Sequence, residues 1–444
     1  MLFNELNIKT PLQNALTDLG YTKPTTIQHK AFAAAMSGAD VCGIAQTGTG
    51  KTIAYLLPCL CQWKFTKDKS PQILVIVPTR ELVVQVVEMV NKLTTYMSVV
   101  AVGVYGGVNI NTQKLKVEEK VDVLVATPGR LFDLVMNGSL KLKQVKKLVI
   151  DEFDEMLNLG FRTQLKNILD LLPDKRQNLL FSATLTEDVE NIIQIYFTNP
   201  IKIEAAPTGT PLEKIQQLAY ELPNFNTKVN MLKLLLTEDA AMTKVLVFAA
   251  SKAQADMLYE QLLQPSNEGS FGVIHSNKEQ NHRFNTVNQF KNGTYRFIIA
   301  TDIVSRGIDI AEVTHVINFD TPDEAENYMH RIGRTGRADK QGIAITFVTE
   351  KEQAAKERIE ALMNYKIPIL PTPEHLEISD VLIDDEKPKK NVKEIKLKPI
   401  KKEDVGASFH EKSAKNQKVN FIVRKKDRMM KKYGKPITRG AKKK

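Results

Sequence analysis

The chain has 444 residues, 43% of them apolar, which is room for two or three domains with packed cores. No apolar run approaches the ~20 residues that cross a bilayer, and the first residues form no basic, cleavable leader, so the sequence predicts a soluble, unexported protein. The net charge of +11 is uneven: Lys387 to the end holds 22 Lys/Arg against 5 Asp/Glu, whereas the first 386 residues hold 40 against 46, which marks the tail as an arm for a polyanion, usually nucleic acid.

From the N-terminus, short apolar runs end in polar or glycine-rich clusters. VCGIA leads to QTGTGKT, ILVIV to PTREL, VGVY to GG, VDVLVA to TPGR, KLVI to DEFD and NLLF to SAT. Helix-like stretches such as ELVVQVVEMVNKL lie between them. β-branched runs alternating with amphipathic helices predict an α/β fold with a parallel sheet built from βαβ units. Such sheets bind ligands beyond the carboxyl ends of their strands, where the polar clusters fall. The three cysteines, Cys42, Cys59 and Cys61, are an odd and sparse set that argues for a reducing compartment and against a disulfide frame. Cys59 and Cys61 are too close for a zinc knuckle, and the seven histidines show no metal spacing.

The pattern pauses at AAPTGTPLEK, residues 205–214, which reads as a linker. It resumes with KVLVFAAS, FGVIHS, RFIIATD, HVINFD and AITFVT, a second α/β domain ending near Leu370. Lysine-rich, proline-spaced sequence follows and is expected to stay disordered until bound, with NFIVRKKDRMMKKYG as a basic helix or docking patch. The expected domains are therefore 1–207, 208–370 and a tail at 371–444.

AQTGTGKT, Ala45 to Thr52, sits between a strand and a helix, the context of a phosphate loop. Gly48 and Gly50 let main-chain N–H groups turn toward phosphate oxygens, with Gln46, Thr47 and Thr49 in the same loop. Lys51 brings a positive charge to the β and γ phosphates, and the Thr52 hydroxyl can ligate Mg²⁺. The usual pattern opens with glycine; this chain has Ala45. KLVIDE supplies the acids such a loop needs, with Asp151 as a second Mg²⁺ ligand and Glu152 to polarise the attacking water.

With these residues in place the chain resembles the DEAD-box family of ATP-dependent RNA helicases, within superfamily 2, over about residues 1–365. GYTKPTTIQ, Gly20 to Gln28, with Phe3 upstream, looks like the family's adenine-reading element. The loop, PTREL, GG, TPGR, DEFD, SAT, VFAAS, QNHR, ATDIVSRGID and HRIGRTGR follow in the family's order. The resemblance implies two tandem RecA-like domains. It implies Gln28 on the adenine edge, Tyr21 or Phe3 against the base, and Asp309 on the ribose. Arg334 and Arg337 would reach the γ-phosphate when the domains close. Arg80, Gly107, Thr127, Gly129 and Arg130 would grip the RNA backbone from the first domain, and Arg283 and Thr301 from the second. Ser182, Thr184 and His330 would join Asp154 in a network that couples hydrolysis to strand separation.

The implied cofactors are ATP and Mg²⁺, and the implied partner is RNA, held by its backbone without sequence reading. A short core with a basic extension is most similar to the RhlE-like bacterial branch, which implies ribosome assembly or RNA decay, with proteins of those processes as partners, in the cytoplasm. No oligomeric signal is present, so a monomer is expected. Two other readings stand beside this one: a superfamily 2 DNA translocase, and an ATP-gated RNA clamp or annealing factor with weak unwinding. The chain departs from the family in its box, which reads DEFD with Phe153 at the alanine position. The expectation is that this ring points away from the metal into packing behind the site.

Overall fold

The described part of the computed structural model comprises residues 2–45, 48–204, 214–263, 269–302, 313–336 and 341–387. The first half contains α1 (Thr10–Asp18), α2 (Thr26–Met36), β1 (Val41–Ile44), α3 (Lys51–Gln62), β2 (Ile73–Ile76) and α4 (Arg80–Leu93). It continues with β3 (Ala101–Val104), α5 (Ile110–Glu118), β4 (Val123–Ala126), α6 (Pro128–Met136) and β5 (Lys147–Ile150). It ends with α7 (Phe153–Asn158), α8 (Arg162–Leu171), β6 (Gln177–Ser182), α9 (Glu187–Tyr196) and β7 (Ile201–Glu204). The strands form one sheet in the order β3-β4-β2-β5-β6-β1-β7.

The second half has β8 (Ile215–Glu221), α10 (Phe225–Glu238), β9 (Val245–Phe248), α11 (Lys252–Leu262), β10 (Phe271–Ile274) and α12 (Gln280–Lys291). After these come β11 (Phe297–Ala300), β12 (His315–Asn318), α13 (Ala325–Ile332), β13 (Gly342–Val348) and α14 (Gln353–Met363). Its sheet runs β10-β11-β9-β12-β13-β8. Every strand pairing among the described residues is parallel. These are the two helix-flanked parallel sheets expected from the alternating pattern.

Continuous apolar runs make sense in strands that are covered on both faces. In the first sheet Val41, Val75, Val125, Val149 and Phe181 pack into one core, and Cys42, Leu74, Leu124, Leu148 and Leu180 into the other. Successive side chains thus go to opposite layers of helices. α4 shows the matching helical logic: Thr79 caps it, accepting from Leu82 N at 3.3 Å, and Val83, Val86, Val90 and Leu93 are buried at three- and four-residue spacing. All three cysteines are buried unpaired thiols, and burial pushes Cys42 up to about 11 and Cys59 up to about 12. No helix among the described residues is long and apolar enough to cross a membrane.

The register levels the strand ends. Ile44 pairs with Ser182, Leu180 with Ile150, Ile150 with Ile76, and Ile76 with Ala126. The residues that follow these ends therefore share one rim.

The end of the second half differs from expectation. Met1–Glu386 forms one compact unit, so the packed chain passes the expected boundary at 370. Leu376 is buried in the second core. Ser379 N donates to Thr227 Oγ1 at 3.1 Å, and Asn230 Nδ2 to Glu377 O at 2.9 Å. Glu386 accepts from Phe225 N at 2.6 Å, at the first turn of α10. This strap, residues 371–386, lacks sequence periodicity because polar groups at the start of α10 hold its main chain, so few apolar side chains are needed. The expected boundary at 207 and the tail from 388 lie outside the described residues.

Candidate nucleotide site and nucleic-acid interface

The phosphate loop joins β1 to α3. Gly50 is the N-cap of α3 at φ 88° and ψ 26°, and Gly48 has φ 82°. Glycine adopts this left-handed geometry without a side-chain penalty. The Gln28 amide stands where a Cβ on Gly50 would be. Gln28 Nε2 donates to Gly50 O at 3.2 Å, and its Oε1 accepts from Thr25 N at 2.9 Å. Thr25 Oγ1 donates to Thr49 O at 2.8 Å. The expected adenine-reading element is thus fastened to the main chain of the loop. Of the two candidate rings, Phe3 is only 4% exposed, within the first core, whereas Tyr21 is 38% exposed. Phe3 packs in the core, and Tyr21 is the more accessible of the two rings.

Lys51 opens α3, is 5% exposed, and places Nζ 3.1 Å from Glu152 Oε1. Burial opposes its charge, but Glu152, Asp151 and Asp154 together raise its pKa above the ordinary lysine value. Asp151 follows β5, and its N–H donates to Ile76 O at 3.0 Å. Burial pushes its carboxyl above the ordinary range, against the pull of Lys51 and with the Glu152 charge adding to the rise. Tyr55 is buried beside both Thr52 and Asp151, which brings the two expected Mg²⁺ ligands to one place. A buried carboxyl disfavoured as an anion, next to a second acid and a hydroxyl, fits a divalent cation.

Glu152 has φ 51° and ψ 53°, a left-handed conformation at a residue with a long side chain. Such a backbone costs about 1–3 kcal/mol and persists where its surroundings hold it. Its N–H donates to Asp151 Oδ1 at 2.9 Å, its carboxylate pairs with Lys51, and the next residue, Phe153, is fully buried. Phe153 packs in the core layer that contains Met156, Leu165, Ile168 and Leu180, in the expected direction, but it does so from the first turn of α7 after the left-handed Glu152 and not by strand alternation.

The residues expected to couple hydrolysis to strand separation come together. Thr184 donates to Asp154 Oδ2 from its N–H at 2.9 Å and its hydroxyl at 2.8 Å. Ser182 Oγ accepts from Asp154 N at 3.3 Å. Burial works against the Asp154 anion, but His330, Lys51, Thr184 and Ser182 hold its pKa below the ordinary value. Asp154, Thr184 and His330 line one cavity of about 1030 Å³ together with Ser251, Thr301 and Asp302. The motifs of the two halves therefore face a shared cleft.

The residues expected on RNA reach the rim, but not all in the same way. The Arg80 guanidinium lies against Gly107, which has φ 78°, so a side chain at Gly107 would displace it. Thr127 is the N-cap of α6, and Gly129 is open to a ligand. Arg130 is turned inward: it donates to Gln113 Oε1 at 2.7 Å and to Val108 O at 2.9 Å, bracing the GG turn. Arg283 pairs with Glu81 of PTREL, a contact that joins the two halves. Thr301 is nearly buried at the end of β11. Arg334 donates from Nε to His330 O at 3.3 Å. Gln46, Thr47, Asp309 and Arg337 lie outside the described residues.

Sequence reasoning missed Glu81, Gln113, Asp302 and the buried core of HRIGR. Arg331 forks onto Asp302, with Nε–Oδ1 at 2.6 Å and Nη2–Oδ2 at 2.8 Å, so it braces the site from below. The only sequence signal was an acid directly after the threonine of ATD.

Comparison with known proteins agrees with this arrangement. Residues 25–192 match the family described as DEAD/DEAH box helicase, and residues 227–339 match the helicase conserved C-terminal domain. The chain is 37% identical to the ATP-dependent RNA helicase DbpA of Bacillus subtilis, over 85% of this chain and 78% of that protein. It is likewise 37% identical to the DEAD-box ATP-dependent RNA helicase RhpA of Helicobacter pylori, over 84% and 74%. Among solved structures it is similar to S. cerevisiae Dbp5 bound to RNA and ADP BeF3, with a TM-score of 0.75 and 28% identity, over 83% of this chain and 95% of that one. These relatives carry different names, so they set a family and not the RhlE-like branch within it.

Proposed function

Since the chain belongs to the DEAD-box family of ATP-dependent RNA helicases, we propose that it opens short RNA duplexes or remodels RNA–protein complexes by closing its two halves on a single strand. The observation that carries this reading is the shared cleft. Asp154 and Thr184 of the first half line it together with His330 and Thr301 of the second.

ATP phosphates enter at the α3 N-terminus, where Gly48, Gly50 and the helix dipole favour negative charge. Lys51 exchanges Glu152 for phosphate oxygens, which leaves the Glu152 carboxylate to orient water. Thr52 and Asp151 would hold Mg²⁺, which when bound neutralises phosphate charge and supplies no proton. Arg334 and Arg337 reach the γ-phosphate on closure; such arginines are worth on the order of 10³ to 10⁵ in rate. Gln28 and Tyr21 take the adenine, with Gln46, Thr47 and Thr49 lining the loop and Asp309 on the ribose. Arg80, Gly107, Thr127 and Gly129 hold the RNA backbone from one side, and Arg283 and Thr301 from the other. Arg130 acts on RNA through the turn it braces.

The basic tail from Lys387 adds a second, sequence-independent RNA contact. We assign the protein to ribosome assembly or RNA decay in the cytoplasm, acting as a monomer, because a short core with a basic extension suits broad service on structured RNA.

Steady-state ATP hydrolysis with and without single-stranded RNA, followed by unwinding of a short RNA duplex, tests the reading. Strong stimulation by RNA and ATP-dependent strand release are expected. ATP-independent annealing without unwinding would replace it with an RNA clamp, and equal stimulation by DNA would point to a DNA enzyme.

A further inference from the structure

The second half contains a buried ion cluster that neither the nucleotide nor the RNA contacts use. Lys228 lies in the first turns of α10 with its side chain 3% exposed. Its Nζ is 3.2 Å from Asp320 Oδ1 and 2.8 Å from Glu352 Oε2. A lysine charge taken out of water is costly unless paired, and here two carboxylates share it.

Asp320 is fully engaged. Its Oδ1 meets Lys228, its Oδ2 accepts from Ala250 N at 2.9 Å, and its main-chain O accepts from Arg331 Nη1 at 2.7 Å. Ala250 and Ser251 form the turn between β9 and α11, which lines the cleft. Arg331 grips Asp302, the neighbour of Thr301. Arg331 is also on α13, just before Arg334. Asp320 thus holds the turn after β9 through its carboxylate and α13 through its main-chain carbonyl, and by way of Arg331 it is tied to the turn after β11.

We propose that Lys228 and Asp320 are positioning residues that hold the RNA-facing turns of the second half and the arginine helix α13 as one block. This rests on the reading of the chain as an RNA-stimulated ATPase. Without Lys228, the buried Asp320 carboxylate faces the half-buried Glu352 with no cation between them, and their repulsion pulls it from Ala250 N and shifts the main chain whose carbonyl Arg331 holds. The phosphate loop and the adenine contacts at Gln28 and Tyr21 belong to the first half and are left alone. The step that needs RNA and arginines presented together is the one that suffers.

The test uses the full chain. RNA-stimulated hydrolysis is measured for the parent, Lys228→Met and the double variant Lys228→Met/Glu352→Gln, with ATP and RNA titrated separately and a thermal melt of each. Lys228→Met is expected to lower RNA-stimulated kcat by about 10- to 100-fold, because a misplacement of ~1 Å at a reacting group costs on the order of 10²-fold. KM for ATP should hold. The double variant, which removes the facing negative charge, should recover most of kcat. Unchanged kcat in Lys228→Met overturns the proposal. So does a joint worsening of kcat and KM for ATP with a lowered Tm that the double variant does not restore, since that is a plain folding defect. A parent without RNA stimulation defeats the underlying reading and takes the proposal with it, a result separable from a stimulated parent with an indifferent variant.

Discussion

Lys51 Nζ lies 3.1 Å from Glu152 Oε1, so the lysine proposed for the phosphates and the acid proposed to orient water neutralise each other across the site. On the proposed assignment, nucleotide breaks this ion pair in order to bind. Glu152→Gln should release Lys51 and leave ATP affinity equal to or tighter than the parent's. Turnover should fall by about 10² to 10⁴-fold, the usual scale for losing a positioned base. A nucleotide titration beside a hydrolysis assay checks both, and weaker binding by Glu152→Gln would contradict the exchange.

Thr184 should separate hydrolysis from unwinding. Thr184→Val removes the 2.8 Å hydroxyl bond to Asp154 and leaves the main-chain bond. A hydrogen bond to a charged group is worth about 1.5–3 kcal/mol. RNA-stimulated ATP consumption should persist while strand release per ATP drops about tenfold or more. Equal losses in both assays would mean the bond serves hydrolysis itself.

The Phe153 ring should matter for stability more than for rate. It is fully buried in the layer behind the phosphate site. Phe153→Ala leaves a cavity that costs about 3–5 kcal/mol. The melt should shift down, whereas turnover per folded molecule, measured well below the melt, should stay close to the parent's. A much faster Phe153→Ala would show that the ring restrains the catalytic turn at Glu152.

Two truncations should behave differently. Ending the chain after Glu386 removes the basic tail and keeps the strap. RNA affinity and its salt dependence should weaken, and RNA-free ATP hydrolysis should survive. Ending it after Leu370 also removes the buried Leu376 and the Glu386 bond to Phe225 N, so the second half should melt earlier. Equal melts for the two would place no stabilising role in the strap.

Strand ends were readable in the sequence because a parallel sheet covered on both faces demands continuous apolar runs, and each run stopped where a motif began. Asp151, Thr127 and Ser182 fell where those stops put them. What long side chains do was not readable. Arg130 and Arg331 look like any rim arginine in a one-dimensional string, yet both are turned inward by acceptors that sit far away in sequence, Gln113 for one and Asp302 for the other. Phe3 was ambiguous for a related reason: an aromatic near an adenine element is equally a residue that closes a core, and Phe3 packs in one. The strap at 371–386 escaped notice because its partners on α10, Asn224, Thr227 and Asn230, offer no apolar pattern to match.

The Gln28 amide packed on Gly50 has a consequence for engineering. The loop is not a portable cassette. Transplanting a phosphate loop from a nucleotidase that lacks this glutamine would put an unfamiliar surface under Gln28, and any residue larger than glycine at position 50 would collide with it. A change at Thr25 or Gln28 would be felt at the phosphates through Thr49 and Gly50. Designs that retune base preference must therefore redesign both segments together.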